Sequence, residues 1–109
     1  MTEVLKTLGQ LVPSATTLTD LYTVPAATQA SVSSLIVCNR GSAAQTFRFS
    51  VAVAGAADAT KQYVYWDLSV PANDCFISTV GISLGATDVL RVYASSTDLS
   101  FQVFGAEVS

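Results

Sequence analysis

The segment Thr46-Phe47-Arg48-Phe49-Ser50-Val51-Ala52-Val53 places a large apolar side chain at every second position. Phe47, Phe49, Val51 and Val53 are predicted to lie on one face, and Arg48 and Ser50 on the other. Successive side chains of a β-strand point to opposite faces of a sheet, so a period of two indicates a strand with one buried face. The same alternation recurs further along the chain, at residues 75–84 and 98–104.

Short strand-forming segments continue on both sides of this stretch. They are rich in Val, Ile, Leu, Phe, Tyr and Thr, and turn-forming residues such as Pro25, Pro71 and Gly85 separate them. Seven strands are predicted, near residues 18–24, 31–39, 46–54, 62–69, 75–84, 88–95 and 98–107. Because no long helical pattern lies between them, they indicate an all-β fold. We expect an antiparallel β-sandwich of seven to eight strands with jelly-roll or immunoglobulin-like topology.

The first 17 residues differ from the rest of the chain. Their apolar residues follow a helical spacing, but Gly9 and Pro13 prevent a long helix. We expect residues 1–17 to form an N-terminal arm, either a short helix or an extended segment, and residues 18–109 to form the sandwich domain. The arm is predicted to dock on a neighbouring subunit. The candidates for that contact are Val4, Leu5, Leu8 and Leu11.

The composition is poor in charge and rich in apolar residues. The 109 residues suit one domain, and 50% are hydrophobic while 12% are charged, about half the ~25% usual for soluble domains. A surface with so little charge is expected to be covered by other protein. The net charge is −3 and the five basic residues are scattered singly, which argues against nucleic-acid binding. No apolar run is long enough for a membrane helix, and we expect no secretory signal.

The absence of histidine excludes whole classes of enzyme and metal site. Catalytic triads and zinc sites that need imidazole cannot form without it. The aspartates fall mostly at predicted turns, where their side chains cap backbone groups, and they lack the spacing of a calcium-binding loop. No phosphate-binding glycine motif is present. The sequence therefore predicts no catalytic residue, no cofactor and no metal.

Two cysteines lie in different predicted strands. Cys38 belongs to the second and Cys75 to the fifth. They are expected to be buried free thiols, because cysteine packs as a small apolar residue and proteins made in a cytoplasm seldom hold disulfides. The alternative is an inter-sheet disulfide of the immunoglobulin type.

Aromatic residues concentrate in the segment Tyr63–Leu68. The period of two assigns Trp66 to the core and places Tyr63 and Tyr65 together on the opposite face. The tyrosines are expected to lie under a loop or at a subunit contact, since an apolar ring with a hydrated hydroxyl suits an interface. The alternative is a platform on which sugar rings stack.

Two arginines are predicted in the middle of strands. Arg48 and Arg91 each stand among small polar residues. Either they form ion pairs with another subunit or they are solvated surface residues.

Five segments, in this order along the chain, are similar to segments of a known group of proteins: Leu21–Ala26 (LYTVPA), Leu35–Arg40 (LIVCNR), Thr46–Arg48 (TFR), Lys61–Leu68 (KQYVYWDL) and Pro71–Asp74 (PAND). Together they resemble small all-β virion structural proteins of tailed bacteriophages, over residues 18–108. Such proteins decorate and cement the head, or are accessory parts of the tail, and have no catalytic residues to carry over.

The resemblance implies a non-enzymatic virion protein that is assembled in the bacterial host cytoplasm. We expect a capsid decoration (cement) protein that forms a symmetric homo-oligomer, with a trimer as the first expectation. Its partners would be its own copies and the major capsid protein or other virion proteins. A tail, collar, baseplate or fibre component is the alternative within the virion, and a carbohydrate-binding module is the alternative of another class.

Overall fold

The computed structural model describes residues 2–109, which form nine β-strands and two single-turn 3₁₀ helices. The strands are β1 (Glu3–Leu11), β2 (Thr19–Thr23), β3 (Gln29–Asn39), β4 (Gln45–Ala52), β5 (Tyr63–Val70), β6 (Cys75–Ser78), β7 (Ile82–Leu84), β8 (Val89–Ala94) and β9 (Leu99–Val108). The 3₁₀ turns, Val53–Gly55 and Thr60–Gln62, lie in the connection between β4 and β5. Within these residues no helix has the length and apolar character needed to cross a bilayer.

The strands form two antiparallel sheets that pack face to face. Sheet I has the order β1-β9-β3-β6, with β7 also pairing with β3, and sheet II has the order β2-β8-β4-β5. If β6 and β7 are taken as one interrupted strand beside β3, each sheet has four strand positions and the chain passes between the sheets in the order of a jelly roll. The predicted all-β sandwich is confirmed, and of the two expected topologies the strand order is that of the jelly roll.

The core lies between the sheets and contains three fully buried phenylalanines. Phe47 and Phe49 come from sheet II, and Phe101 comes from β9 in sheet I. The rings of Phe47 and Phe101 meet edge to face with centroids 5.8 Å apart, a favourable arrangement for aromatic pairs. Burial of Phe47 and Phe49 agrees with the period of two read from their segment.

The N-terminal residues are part of the sandwich, which corrects the prediction of a separate arm. β1 pairs with β9 along its whole length, and a bulge interrupts the register between Thr7 and Gly9. Because of this bulge Leu8 and Leu11, which are three residues apart, both face the core, where Leu8 is 8% exposed. Because a bulge shifts the period of two, the apolar residues of β1 imitate a helical spacing. A Cβ atom at Gly9 would lie 2.5 Å from the carbonyl oxygen of Leu21, so glycine allows the close approach of β1 to β2.

Candidate functional site

Two bulges in β5 reverse the sides that the sequence predicts for Tyr65 and Trp66. Tyr65 pairs with Phe49, but Tyr63 pairs with Ser50, so one extra residue lies between the two tyrosines. A second extra residue follows before Leu68. Each insertion moves the later side chains to the opposite face. Trp66 is therefore 54% exposed instead of buried in the core, which corrects the prediction.

The two tyrosines consequently face different environments. Tyr65 packs against the core, with its ring centroid 5.2 Å from that of Phe76, and shares a 2.6 Å hydrogen bond with the Ser78 hydroxyl. Tyr63 instead meets Trp66 edge to face at 4.7 Å and donates a 2.8 Å hydrogen bond to Asp58. The flat pair of tyrosines required by the sugar-stacking alternative is not formed.

Arg48 is held on the outer side of sheet II by contacts within the chain. Its guanidinium carbon lies 3.8 Å from the centroid of the Trp66 ring and 4.4 Å from that of Tyr93, which are cation–π distances. Its Nε donates a 2.7 Å hydrogen bond to a carboxylate oxygen of Asp67. This bond raises the pKa of the Arg48 guanidinium above its usual value. Arg48 is thus the centre of an aromatic and charged cluster of this sheet.

Arg91 anchors the connection between β4 and β5. It forms an ion pair with Asp20 on the neighbouring strand at 3.1 Å, and it donates hydrogen bonds to the carbonyl oxygens of Ala56 at 2.7 Å and Gly55 at 3.2 Å. Only 16% of its side chain is exposed. Both mid-strand arginines are therefore partnered inside the chain, whereas the sequence left only inter-subunit pairing or free solvation open.

A third charged group joins the two sheets at one end of the sandwich. The Tyr22 hydroxyl in sheet II donates a 2.5 Å hydrogen bond to Glu107 in sheet I, and Lys6 forms an ion pair with the same carboxylate at 3.2 Å. The hydrogen bond from Tyr22 lowers the pKa of Glu107, and the contacts with Lys6 lower it further. Burial and the bond to Glu107 raise the pKa of Tyr22 far above its usual value.

The outer side of sheet I has a different character, because its central part carries no charged side chain. Alternation along the paired strands places eleven neutral residues there. We call them the uncharged face: Leu5, Thr7, Gln10, Ser34, Ile36, Cys38, Cys75, Ile77, Ser100, Gln102 and Phe104. Leu5 is 80% exposed and Ile77 is 61% exposed. Glu3, at the start of β1, lies at one corner.

The side chains on the uncharged face contact one another through apolar groups or through uncharged hydrogen-bonding groups. Ile36 lies directly opposite Ile77 in the pairing of β3 with β6. Gln10 donates a 2.8 Å hydrogen bond to Gln102 across β1 and β9, which satisfies part of the polarity of both amides. The two sides of the sandwich thus differ sharply, since the outer side of sheet II bears the ion pairs of Arg48 and Arg91.

The cysteines lie beside each other in one sheet. Cys38 on β3 is directly opposite Cys75 on β6, and within the described chain neither thiol forms a disulfide. An inter-sheet disulfide is excluded because both strands belong to sheet I. The expectation of free thiols agrees with the structure, but their predicted burial does not, because Cys38 is half-buried and Cys75 is exposed.

The predicted interface residues of the N-terminus divide into two sets. Val4 and Leu5 are exposed, whereas Leu8 lies in the core and Leu11 packs against it. Apart from Leu5, the sequence analysis did not predict the residues of the uncharged face, Ile77 among them. Its signal was present in segments such as Ser100-Phe101-Gln102-Val103-Phe104, where the residues between the buried positions are all neutral.

One depression of the surface, with a volume of about 480 Å³, is lined by uncharged side chains: Ala27, Thr28, Gln29, Ala86, Val108 and Ser109. The side chains of these residues supply methyl, hydroxyl and amide groups. Among residues 2–109, no three His, Cys, Asp or Glu side chains come together as a metal site.

Comparison with known proteins found no family model and no curated protein that matches this chain.

Proposed function

We propose that this chain is a non-enzymatic structural protein of a tailed-bacteriophage virion, and that it decorates the capsid as a symmetric homo-oligomer. The observation that carries the proposal is the uncharged face. The central part of a stable protein interface is depleted of charged residues, because each charge must lose its water on association. The eleven residues of this face include exposed Leu5 and Ile77 and no charged group.

The distribution of charge favours this face over the opposite one. On sheet II, Asp67 and Asp20 neutralise Arg48 and Arg91 within the chain, so these arginines need no partner from another subunit. On sheet I, burial of Leu5 and Ile77 in a contact would remove apolar area from water at roughly 25 cal/mol per Å². We therefore expect the uncharged face to meet another copy or the capsid shell.

The fold and the sequence resemblance support a place in a virion. Jelly rolls occur in viral capsid proteins and also in lectins, so the fold alone does not choose between these roles. The sequence resembles phage virion proteins, and the separated tyrosines offer no support for the lectin role. A decoration protein that binds only the assembled shell would stabilise it through the binding equilibrium.

The homo-oligomer is tested by adding one charge to the uncharged face. Ile77→Glu is expected to lower the solution mass of the oligomer to that of a monomer, because the carboxylate would have to be desolvated at the contact. Val53→Glu is the matched control, since Val53 is 68% exposed in the connection that follows β4. The measurement is size-exclusion chromatography with light scattering. A monomeric wild-type protein, or equal masses for both variants, would contradict a contact between copies at the uncharged face.

The virion role is tested by counting copies of the chain in purified phage particles from the host that produces it. Quantitative mass spectrometry is expected to give hundreds of copies per particle if the chain decorates the head. About 3–18 copies would instead indicate the alternative, a component on the tail axis, because tail parts follow low rotational symmetry. Particles that lack the chain would overturn the proposal.

A further inference from the structure

The cysteine pair lies at a position of the sheet where two strands come close together. The Asn39 N–H donates a 2.8 Å hydrogen bond to the Asp74 carbonyl, so these residues form a hydrogen-bonded pair of the antiparallel ladder. The next pair along the register, Cys38 and Cys75, is therefore a non-hydrogen-bonded pair. In such pairs the Cα atoms are about 4.5 Å apart and the side chains lie closer than in the hydrogen-bonded pairs.

This spacing meets the geometric requirement of a disulfide. Disulfide-linked residues have Cα atoms about 4.4–6.8 Å apart, so a non-hydrogen-bonded pair lies at the short end of the range. Both thiols also point to the same side of sheet I, because their neighbours Val37 and Phe76 pack on the core side. The exposed thiol of Cys75 is accessible to an oxidant in solution.

We propose that Cys38 and Cys75 form a reversible redox site, in which a cross-strand disulfide fastens the edge strand β6 to β3. The oxidant is a low-molecular-weight disulfide such as oxidised glutathione. The Cys75 thiolate attacks it, a mixed disulfide forms and one glutathione thiolate leaves. The Cys38 thiolate then attacks the sulfur of Cys75 and displaces the second glutathione. Two electrons pass to the oxidant, and the two thiol protons pass to the released glutathione molecules.

The structural effect of this bond follows from the place of β6. This strand has four residues, pairs only with β3 among the described strands, and ends where the chain leaves the sheet at Thr79. A bond between Cys38 and Cys75 closes a long loop of the unfolded chain and so favours the folded state. Because the spacing is at the short end of the allowed range and Cys75 is exposed, the bond is readily reduced again.

The test treats the folded full-length chain with oxidised glutathione and determines its intact mass and its linked peptides. The expected product has lost two hydrogens, retains no glutathione and contains a peptide link between Cys38 and Cys75. Its melting temperature is expected to rise by roughly 5–15 °C, and a dithiol reductant is expected to reverse the change. The reaction is carried out on the wild-type chain and on Ile77→Glu, because a contact between copies at the uncharged face would cover Cys75 and is expected to be lost in that variant. In Ile77→Glu the Cys75 thiol is exposed whether or not such a contact exists, so the outcome is separate from that of the proposed function.

Cys38→Ser provides the matched control. Without the second thiol, Cys75 is expected to retain one glutathione, and the melting temperature is not expected to rise. Two retained glutathiones on the wild-type chain, a disulfide between two chains, or an Ile77→Glu chain that does not react would each overturn the proposal. A correct link without a higher melting temperature would overturn the fastening of β6.

Discussion

At the scale of single residues, two buried polar side chains differ in whether their polar groups are hydrogen-bonded. Asn39 is 1% exposed, and its amide donates to the carbonyl oxygens of Ala43 and Val70 at 2.9 and 3.1 Å. Ser50 is fully buried, yet its hydroxyl has no hydrogen-bond partner among residues 2–109. Burial of a hydroxyl without a partner costs about 1–3 kcal/mol, so Ser50 is a source of instability within sheet II.

Ser50→Ala is expected to increase the free energy of unfolding by about 1 kcal/mol, because it removes a desolvated hydroxyl while leaving the β-carbon in place. Urea denaturation monitors the change. Ser95→Ala is the control, since the Ser95 hydroxyl donates to Gln45 at 2.7 Å and accepts from the Thr46 N–H at 2.9 Å. That variant is expected to lose about 1 kcal/mol. If both variants were destabilised equally, the assignment of an unsatisfied hydroxyl at Ser50 would be wrong.

At the scale of elements, β1 is an integral edge strand of sheet I. Leu8→Ala is expected to lower the free energy of unfolding by about 2–4 kcal/mol, because it leaves a cavity in the core. Leu5→Ala, on the same strand, is expected to change it by about 0.5 kcal/mol or less, since Leu5 is 80% exposed. Thermal or urea unfolding of the two variants gives the comparison. Similar losses for both would contradict an inward-facing Leu8 and an outward-facing Leu5 in β1.

The period of two predicted most strands but failed where strands are bulged. All seven predicted segments contain strands, and the segment 75–84 is divided between β6 and β7. The failures occur in β1 at Leu8 and in β5 between Tyr63 and Leu68. Asp67 has a positive φ of 50°, a conformation that is uncommon for residues other than glycine, although aspartate adopts it more often than most. Since a bulge is defined by the pairing with a partner strand, one strand's own sequence does not reveal it.

The candidate sites were predictable to different degrees. The neutral residues of the uncharged face are visible as alternate positions in β3 and β9. The sequence does not predict that Cys38 and Cys75 lie side by side. Their proximity depends on how β3 pairs with β6, a strand that begins 36 residues after β3 ends. The partners of Arg48 and Arg91 depend on similar long-range pairing.

At the scale of the whole molecule, the group of Tyr22, Glu107 and Lys6 ties sheet II to sheet I. The pKa of Glu107 is lowered in the folded state, so the unfolded chain binds a proton more readily than the folded chain in the acid range. Its contribution to stability is therefore present above the ordinary carboxyl pKa of 4.5 and is lost as the pH falls through the lower folded value.

Glu107→Gln tests this pH dependence. The variant is expected to be less stable than the wild type near neutral pH, and the difference is expected to shrink as the pH falls below 4.5 and through the lower folded pKa of Glu107, where the wild-type carboxylate also becomes neutral. Urea midpoints measured across this range give the difference. Glu3→Gln, at the exposed start of β1, is expected to leave the slope unchanged. A difference that stays constant with pH would contradict a role for the charge of Glu107.

The pairing of β1 with β9 also determines how the molecule responds to mechanical force. Thr2 and Ser109 exchange backbone hydrogen bonds of 2.7 and 2.9 Å, so the two ends of the described chain lie side by side. A pull on these ends would separate the antiparallel strands like a zipper and load one pair of bonds at a time. Tension between residue 12 and residue 109 would instead shear the same ladder and load its bonds together. The force needed to separate β1 from β9 would therefore depend on whether the load acts across their hydrogen-bond ladder or along it.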